Sequence, residues 1–141
     1  LHPEAGHIMI AKNPHDPGSS VCQFYDSCFE GLASGPSIKA RWGKSADQLV
    51  DKSVVWELES EYIAKGLVNM ILTLSPQKII LGGGVMHQEQ LFALIRQKVT
   101  DYLNGYYYTK ELLDMDNYIV PASLNGDQGI MGAIRIGQLA E

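Results

Sequence analysis

The chain has no apolar run of about 18 residues, the length that a membrane-spanning helix needs. It also has no charged stretch leading into an apolar one of the kind that directs secretion. Cysteine is scarce. Cys22 and Cys28 are the two present, too few for the disulfide framework of a small secreted domain, so a reducing compartment, the cytoplasm, is expected. Basic residues are outnumbered, 11 Lys and Arg against 16 Asp and Glu for a net charge of −5, which argues against a nucleic-acid-binding face. Walker A, GxGxxG and CxxC patterns are missing, as are repeats, low-complexity tracts and clear linkers. What is left is an ordinary globular composition, 45% hydrophobic and 19% charged over 141 residues, enough for one sizeable core.

The pattern along the chain predicts an α/β layout. Gly6 to Ala11 reads as a short strand, and Lys12 to Ser20 as a loop that continues through Cys28. Phe29 to Gly43 predicts two short helical pieces broken at Ser34-Gly35-Pro36, with Pro36 suited to a first helical turn. Trp56, Tyr62, Ile63, Leu67, Met70, Ile71 and Leu74 recur at three- and four-residue spacing, so Ser53 to Leu74 is the strongest helix, ended by Ser75-Pro76. Lys78 to Leu81 reads as a buried strand entering Gly82-Gly83-Gly84, Gln88 to Asn104 as an amphipathic helix, Tyr118 to Val120 as a strand, and Gly126 to Glu141 as a glycine-rich start followed by a helix. If the early strand shares this sheet, its neighbours would lie upstream of Leu1.

Four clusters could carry chemistry. Gly82, Gly83 and Gly84 follow a strand, where backbone can approach a ligand closely; a tight connection without a ligand is the alternative. His7, Cys22 and Cys28 offer one nitrogen and two sulfurs, a set suited to zinc with a fourth ligand from His15, Tyr25 or Asp26; two buried thiols and a hydrogen-bonded histidine fit the sequence equally well. Glu4 and Glu30 flank that set, and carboxylates accept hydrogen bonds from paired hydroxyls; a lone Glu is otherwise a solvated surface residue. Asn125-Gly126-Asp127-Gln128-Gly129 could receive a phosphate at a helix start, but a helix capped by Asp127 is the simpler reading. Tyr106-Tyr107-Tyr108 and Trp42 are expected in core packing or an interface patch. His2, His15 and His87 read most simply as surface residues.

Together, His2-Pro3-Glu4-Ala5-Gly6-His7, Cys22, Cys28-Phe29-Glu30-Gly31-Leu32-Ala33-Ser34-Gly35-Pro36 and Arg41-Trp42-Gly43 resemble the ROK family of bacterial sugar kinases, in its zinc-containing fructokinase branch. Ile80-Leu81-Gly82-Gly83-Gly84-Val85 resembles that family's adenosine-side glycine motif, and the likeness spans nearly the whole chain. It implies an actin-like ATPase (ribonuclease H-like) fold of two α/β lobes, with residues 1–141 forming most of the C-terminal lobe. The N-terminal lobe, with its phosphate loop and catalytic aspartate, would lie upstream. The implied reaction is ATP-dependent phosphorylation of a hexose, fructose to fructose 6-phosphate, with Mg²⁺ on the nucleotide and a homodimer as the assembly. Glu4, His7 and Glu30 match substrate-binding positions, Gly82, Gly83 and Gly84 the nucleotide side, and His7, Cys22 and Cys28 zinc ligands. This chain alone would be inactive. It departs from the family at Tyr25, which stands where a histidine zinc ligand is expected; Asp26 or His15 could substitute, or zinc is weak or absent. Other sugars of the family (glucose, mannose, N-acetylmannosamine), a sugar-responsive transcriptional repressor, and a zinc-stabilised interaction module using the tyrosine patch are the alternatives.

Overall fold

The computed structural model describes residues 3–124 and 126–140. Leu1, His2, Asn125 and Glu141 lie outside the described residues, and with them the surface reading of His2 and the first residue of the tail motif. The element order is a 3-10 turn (Ala5–His7), α1 (Phe29–Leu32), α2 (Gly35–Trp42), a 3-10 turn (Ala46–Gln48), α3 (Ser53–Leu74), β1 (Ile79–Leu81), a 3-10 turn (Gly84–His87), α4 (Gln90–Leu103), α5 (Met115–Tyr118), β2 (Ile119–Pro121) and α6 (Gln128–Leu139). The α/β layout expected from the sequence is therefore observed.

The long helix α3 packs along α4. Trp56, Ile63, Leu67 and Ile71 of α3 meet Leu91, Ile95, Val99 and Leu103 of α4 in the main core, which also takes in Tyr118 and Ile119. Each such side chain, fully withdrawn from water, contributes roughly 1.5–3 kcal/mol. Trp56 donates its indole N–H to the carbonyls of Leu49 and Val50, both at 3.0 Å, and so fixes the preceding loop to α3. The apolar stripe stops short of the helix end, because Leu74 is exposed. Ser75 then takes a left-handed backbone (φ 45°) and Pro76 cannot continue the helix.

Among the described residues, β1 and β2 form a two-stranded parallel sheet, pairing Ile79 with Ile119 and Leu81 with Pro121. Two expectations are corrected. Gly6 to Ala11 is not a strand of this sheet: Ala5–His7 is a 3-10 turn, and Met9 makes an isolated antiparallel bridge to Cys28. Among the described residues its partner is the stretch 27–29, through Phe29 N–H to Ile8 O and Ile10 N–H to Ser27 O. Nor is β1 buried throughout, since Ile80 is 65% exposed.

A second, smaller cluster of Ile10, Leu32 and Tyr62 lies on another face of α3. Beside it sits Glu59, 1% exposed, with neither carboxylate oxygen hydrogen-bonded. Burial raises its pKa to about 8, against the pull of Arg41 and with the push of Asp16. An acid whose folded pKa lies above its unfolded value costs stability as pH rises between the two. Folding should therefore weaken by a few kcal/mol from about pH 4.5 to 8. Glu59→Gln should flatten that slope in thermal melts taken across this range; a slope identical to the parent would place the ionisation elsewhere.

Candidate functional site

The loop-rich first third folds into one cluster because three short pairings close it. Phe29 N–H donates to Ile8 O (2.9 Å), Ile10 N–H to Ser27 O (2.9 Å) and Val21 N–H to Gly31 O (3.0 Å). The first two run residues 8–10 antiparallel to 27–29, which sets Cys28 beside the His7 turn. The third brings the Cys22 loop onto α1. Gly31 is required by this approach, since a Cβ there would lie 2.1 Å from Ser20 Oγ and 2.8 Å from Cys22 Cβ. Gly6 is required for the same kind of reason: a Cβ would stand 2.8 Å from Glu30 Oε2. The Glu30 carboxylate thus lies against the Glu4–His7 segment.

The donor atoms of His7, Cys22 and Cys28 all fall within 4.8 Å of one another. Cys22 Sγ lies 3.9 Å from His7 Nδ1. Cys28 is fully buried, and burial raises its thiol pKa; Cys22 is half-buried, and a hydrogen bond from Phe24 N–H (3.5 Å) leads the effects that lower its own. One imidazole and two thiols at this spacing fit zinc, which takes N and S ligands tetrahedrally. Among the described residues, neither Asp26 nor His15 joins this group. Tyr25 does come close, its ring centroid 5.7 Å from that of His7, and Phe24 flanks the imidazole at 6.3 Å. Glu4 begins the 3-10 turn, accepting His7 N–H at its backbone oxygen (2.9 Å), and is exposed.

The glycine triplet sits apart from these residues in sequence, at the carboxyl end of β1, and its members differ. Gly82 is held close, a Cβ there meeting Ala122 at 3.1 Å and Gln128 at 3.2 Å. Gly83 has φ 94°, a backbone that side chains rarely tolerate. Gly84 faces open space. Gly82 and Gly83 line a cleft of about 520 Å³ with Met86, His87, Phe92 and Gln128, within the usual size range of small-molecule sites. Arg96 borders it, but its guanidinium is committed to Asp116 (2.7 Å) and to the Ile119 carbonyl. His87 therefore belongs to the cleft edge as an exposed residue. In the tail, Asp127 stands at the N-cap of α6 but makes no side-chain cap bond; Gln128 Oε1 instead accepts Gly126 N–H at 3.1 Å.

The two regions meet through α2. Ser34 and Ser37 form a reciprocal capping box at its start, and a Cβ at Gly35 would touch Val85 of the glycine turn at 4.0 Å. From the sequence, Asp16 and Glu59 are not singled out, Arg41 stands only within the Arg41-Trp42-Gly43 motif, and Tyr62 only within the apolar stripe of α3. Arg41 Nε donates to Asp16 Oδ1 (2.7 Å), with both side chains shielded from water. Tyr62 donates to Asp16 Oδ2 (2.6 Å). Asp16 is lowered in pKa: burial opposes this, but the hydrogen bonds from Tyr62, Gly18 N–H and Arg41 outweigh it. The sequence carried no signal for this set beyond the Arg41-Trp42-Gly43 triplet.

The ROK family profile matches residues 1–139. A Bacillus subtilis (strain 168) relative is 50% identical over 140 residues, covering 99% of this chain and 47% of the relative. The fructokinase of Pediococcus pentosaceus is 43% identical over 99% of this chain and 47% of its own length, and that of Zymomonas mobilis 34% over 99% and 46%. The chain thus spans about half the length of the curated relatives it matches. A ROK hexokinase structure from Thermus thermophilus superposes with a TM-score of 0.70 at 20% identity, over 96% of this chain and 48% of that one. This likeness shows the fold, that of about half of an actin-like ATPase sugar kinase. By the match over residues 1–139, the chain belongs to the ROK family.

Proposed function

We propose that this chain is the C-terminal portion of an ATP-dependent hexose kinase, and that its hexose is fructose, phosphorylated to fructose 6-phosphate. The observation that carries the reading is the packing of Glu30 against Gly6. It brings the Glu30 carboxylate against the short segment that carries Glu4 and His7, beside a pair of thiols. Carboxylates and imidazole suit a polyhydroxylated ligand, whose hydroxyls donate in pairs. Fructokinases at 34% to 43% identity over 99% of the chain support the choice of sugar.

On this reading Glu4, His7 and Glu30 hold and orient the hexose. Gly83, Gly84 and the cleft beside them receive the nucleotide, with Mg²⁺ travelling on the ATP phosphates. Gly82, packed under Ala122 and Gln128, keeps the turn tight. Phosphoryl transfer depends on positioning, charge neutralisation and a residue that accepts the hydroxyl proton. We assign that base to polypeptide outside this chain, and take the working enzyme to be a cytoplasmic homodimer on the family resemblance. His7, Cys22 and Cys28 would hold zinc, which would cross-link the first turn, the loop and α1. No helix among the described residues is long and apolar enough to cross a membrane.

The test is a coupled assay of the polypeptide extended to the length of its relatives, with ATP and Mg²⁺, over fructose, glucose, mannose and N-acetylmannosamine. Fructose should dominate, and residues 1–141 alone should turn over none. Dominance of another sugar would move the specificity, and no phosphorylation at all, with DNA binding, would replace the kinase by a repressor.

Glu4→Gln in the extended protein should raise KM for the hexose by about tenfold or more, through loss of a charged acceptor, while KM for ATP stays put. Unchanged hexose kinetics would remove Glu4 from the sugar site. Tyr25→His should raise the zinc retained after dialysis, by supplying a fourth ligand. Equal metal content in both proteins would mean that the fourth position is filled from elsewhere.

A further inference from the structure

We propose that the buried Asp16–Arg41 ion pair is a positioning device that clamps the Cys22 loop to α1, and so sets the arrangement of His7, Cys22, Cys28 and Glu30. The inference deepens the proposed reading of that cluster and rests on it for its functional meaning, though its structural claim is testable without it.

Arg41 reaches from α2 between three segments. Nε holds Asp16 in the loop (2.7 Å), Nη2 donates to Leu32 O at the end of α1 (3.2 Å), and Nη1 lies 4.0 Å from Glu59 of α3. Its stem packs against Gly18, where a Cβ would come within 3.0 Å. Leu32 O is gripped twice, since Ser37 Oγ also donates to it (2.8 Å). On the loop side, Asp16 takes Gly18 N–H (2.8 Å) and the Tyr62 hydroxyl, which in turn accepts Asn13 N–H (3.1 Å). Residues 13–18 are therefore fixed at both ends.

From these anchors two short segments run side by side to the cluster. One passes from Gly18 through Ser20 to Cys22, the other back from Leu32 through Glu30 to Cys28. They touch at Val21–Gly31. Arg41 joins them at the base, so their register at the far end depends on it. An isolated buried ion pair is weak evidence for stability, because apolar groups of equal volume often do as well. What a guanidinium adds is a planar fork able to hold Asp16 and the Leu32 carbonyl at once. A lysine carries three donors on one compact ammonium and lacks the fork's fixed spacing, so it does not hold the two in this geometry.

The experiment is Arg41→Lys, with Val99→Ala in the main core as a control for general loss of stability. The metal-free proteins are labelled with a disulfide thiol reagent, and the modified cysteine is identified by mass. Cys28 is fully buried in the parent. It should react about tenfold faster or more in folded Arg41→Lys, through local opening of the loop from α1, and remain protected in folded Val99→Ala. Zinc affinity, measured by chelator competition, should fall about tenfold in Arg41→Lys alone. Cys28 protected in folded Arg41→Lys as in the parent, or equally unmasked in the control, overturns the proposal. A parent that binds no zinc would instead count against the metal reading, and the labelling result would still decide this one.

Discussion

The two-sided burial of α3 is the constraint on which the rest of the molecule depends. Positions 56, 63, 67 and 71 form one stripe and meet α4. Positions 59 and 62 fall on a neighbouring stripe, as helical periodicity dictates, and meet the first third of the chain. The first contact is apolar and supplies most of the apolar burial. The second is mixed: the Tyr62 ring packs with Ile10 and Leu32, while its hydroxyl and Glu59 lie toward the Asp16–Arg41 pair, whose Asp16 stands in a loop that has no regular structure of its own. Residues 12–20, dense in Pro, Gly, Asn, Asp and Ser, offer little apolar surface of their own, so that stretch is held by hydrogen bonds and a buried charge pair. α3 gives both kinds of attachment one rigid reference.

How legible this was depended on which forces act locally. The helices α3 and α4 follow from apolar periodicity, and the termini at Ser75-Pro76 and Ser34-Gly35-Pro36 from local backbone chemistry, so both could be read directly. The segment Gly6 to Ala11 looks like a strand because Ile8-Met9-Ile10-Ala11 is a short apolar run, but a strand needs a partner. The one it meets among the described residues is the short stretch ahead of α1. Glu59 was illegible because a glutamate at a helical position ordinarily faces water; only the loop folded over it, itself not predictable from composition, makes it buried. The cluster of His7, Cys22 and Cys28 was legible as residue types and by resemblance. Its convergence was not, since it depends on close approaches at Gly6 and Gly31 between segments that no periodicity links.

The absence of Asp26 and His15 from the thiol–imidazole group narrows the metal question. Three donors satisfy most of what a tetrahedral ion requires, but a closed structural site uses four. Tyr25 and Phe24 place aromatic surface around His7. A phenol is a poor zinc ligand, while aromatic rings restrict the imidazole's orientation. The immediate effect of Tyr25 is therefore packing, which trades a metal bond for a preformed imidazole position. Because Gly31 and the Asp16–Arg41 pair already hold the loop on α1, the local fold does not rest on an ion alone. Zinc would add rigidity to an arrangement whose register is set by backbone and ion-pair contacts.

On the proposed reading, one rigid body carries both the hexose side and the nucleotide side. The connection is short: Glu30 on α1, the capping box of Ser34 and Ser37, then Val85 beside the glycine turn. Ser37 is fully buried and bonds Leu32 O, so the step from α1 to α2 has little freedom. The separation between a bound sugar and the glycine turn is thereby largely fixed within this chain. Proximity depends on holding the reacting atoms in place, since a misplacement of about 1 Å can cost about a hundredfold in rate. With one distance fixed inside this scaffold, the remaining polypeptide has only to bring the phosphates and the base to a hydroxyl already in place. The exposed apolar residues of α6, Ile130, Ile134, Ile136 and Leu139, follow directly after Gln128, which packs on Gly82. Any segment that covered that helix would be coupled through one side chain to the glycine turn.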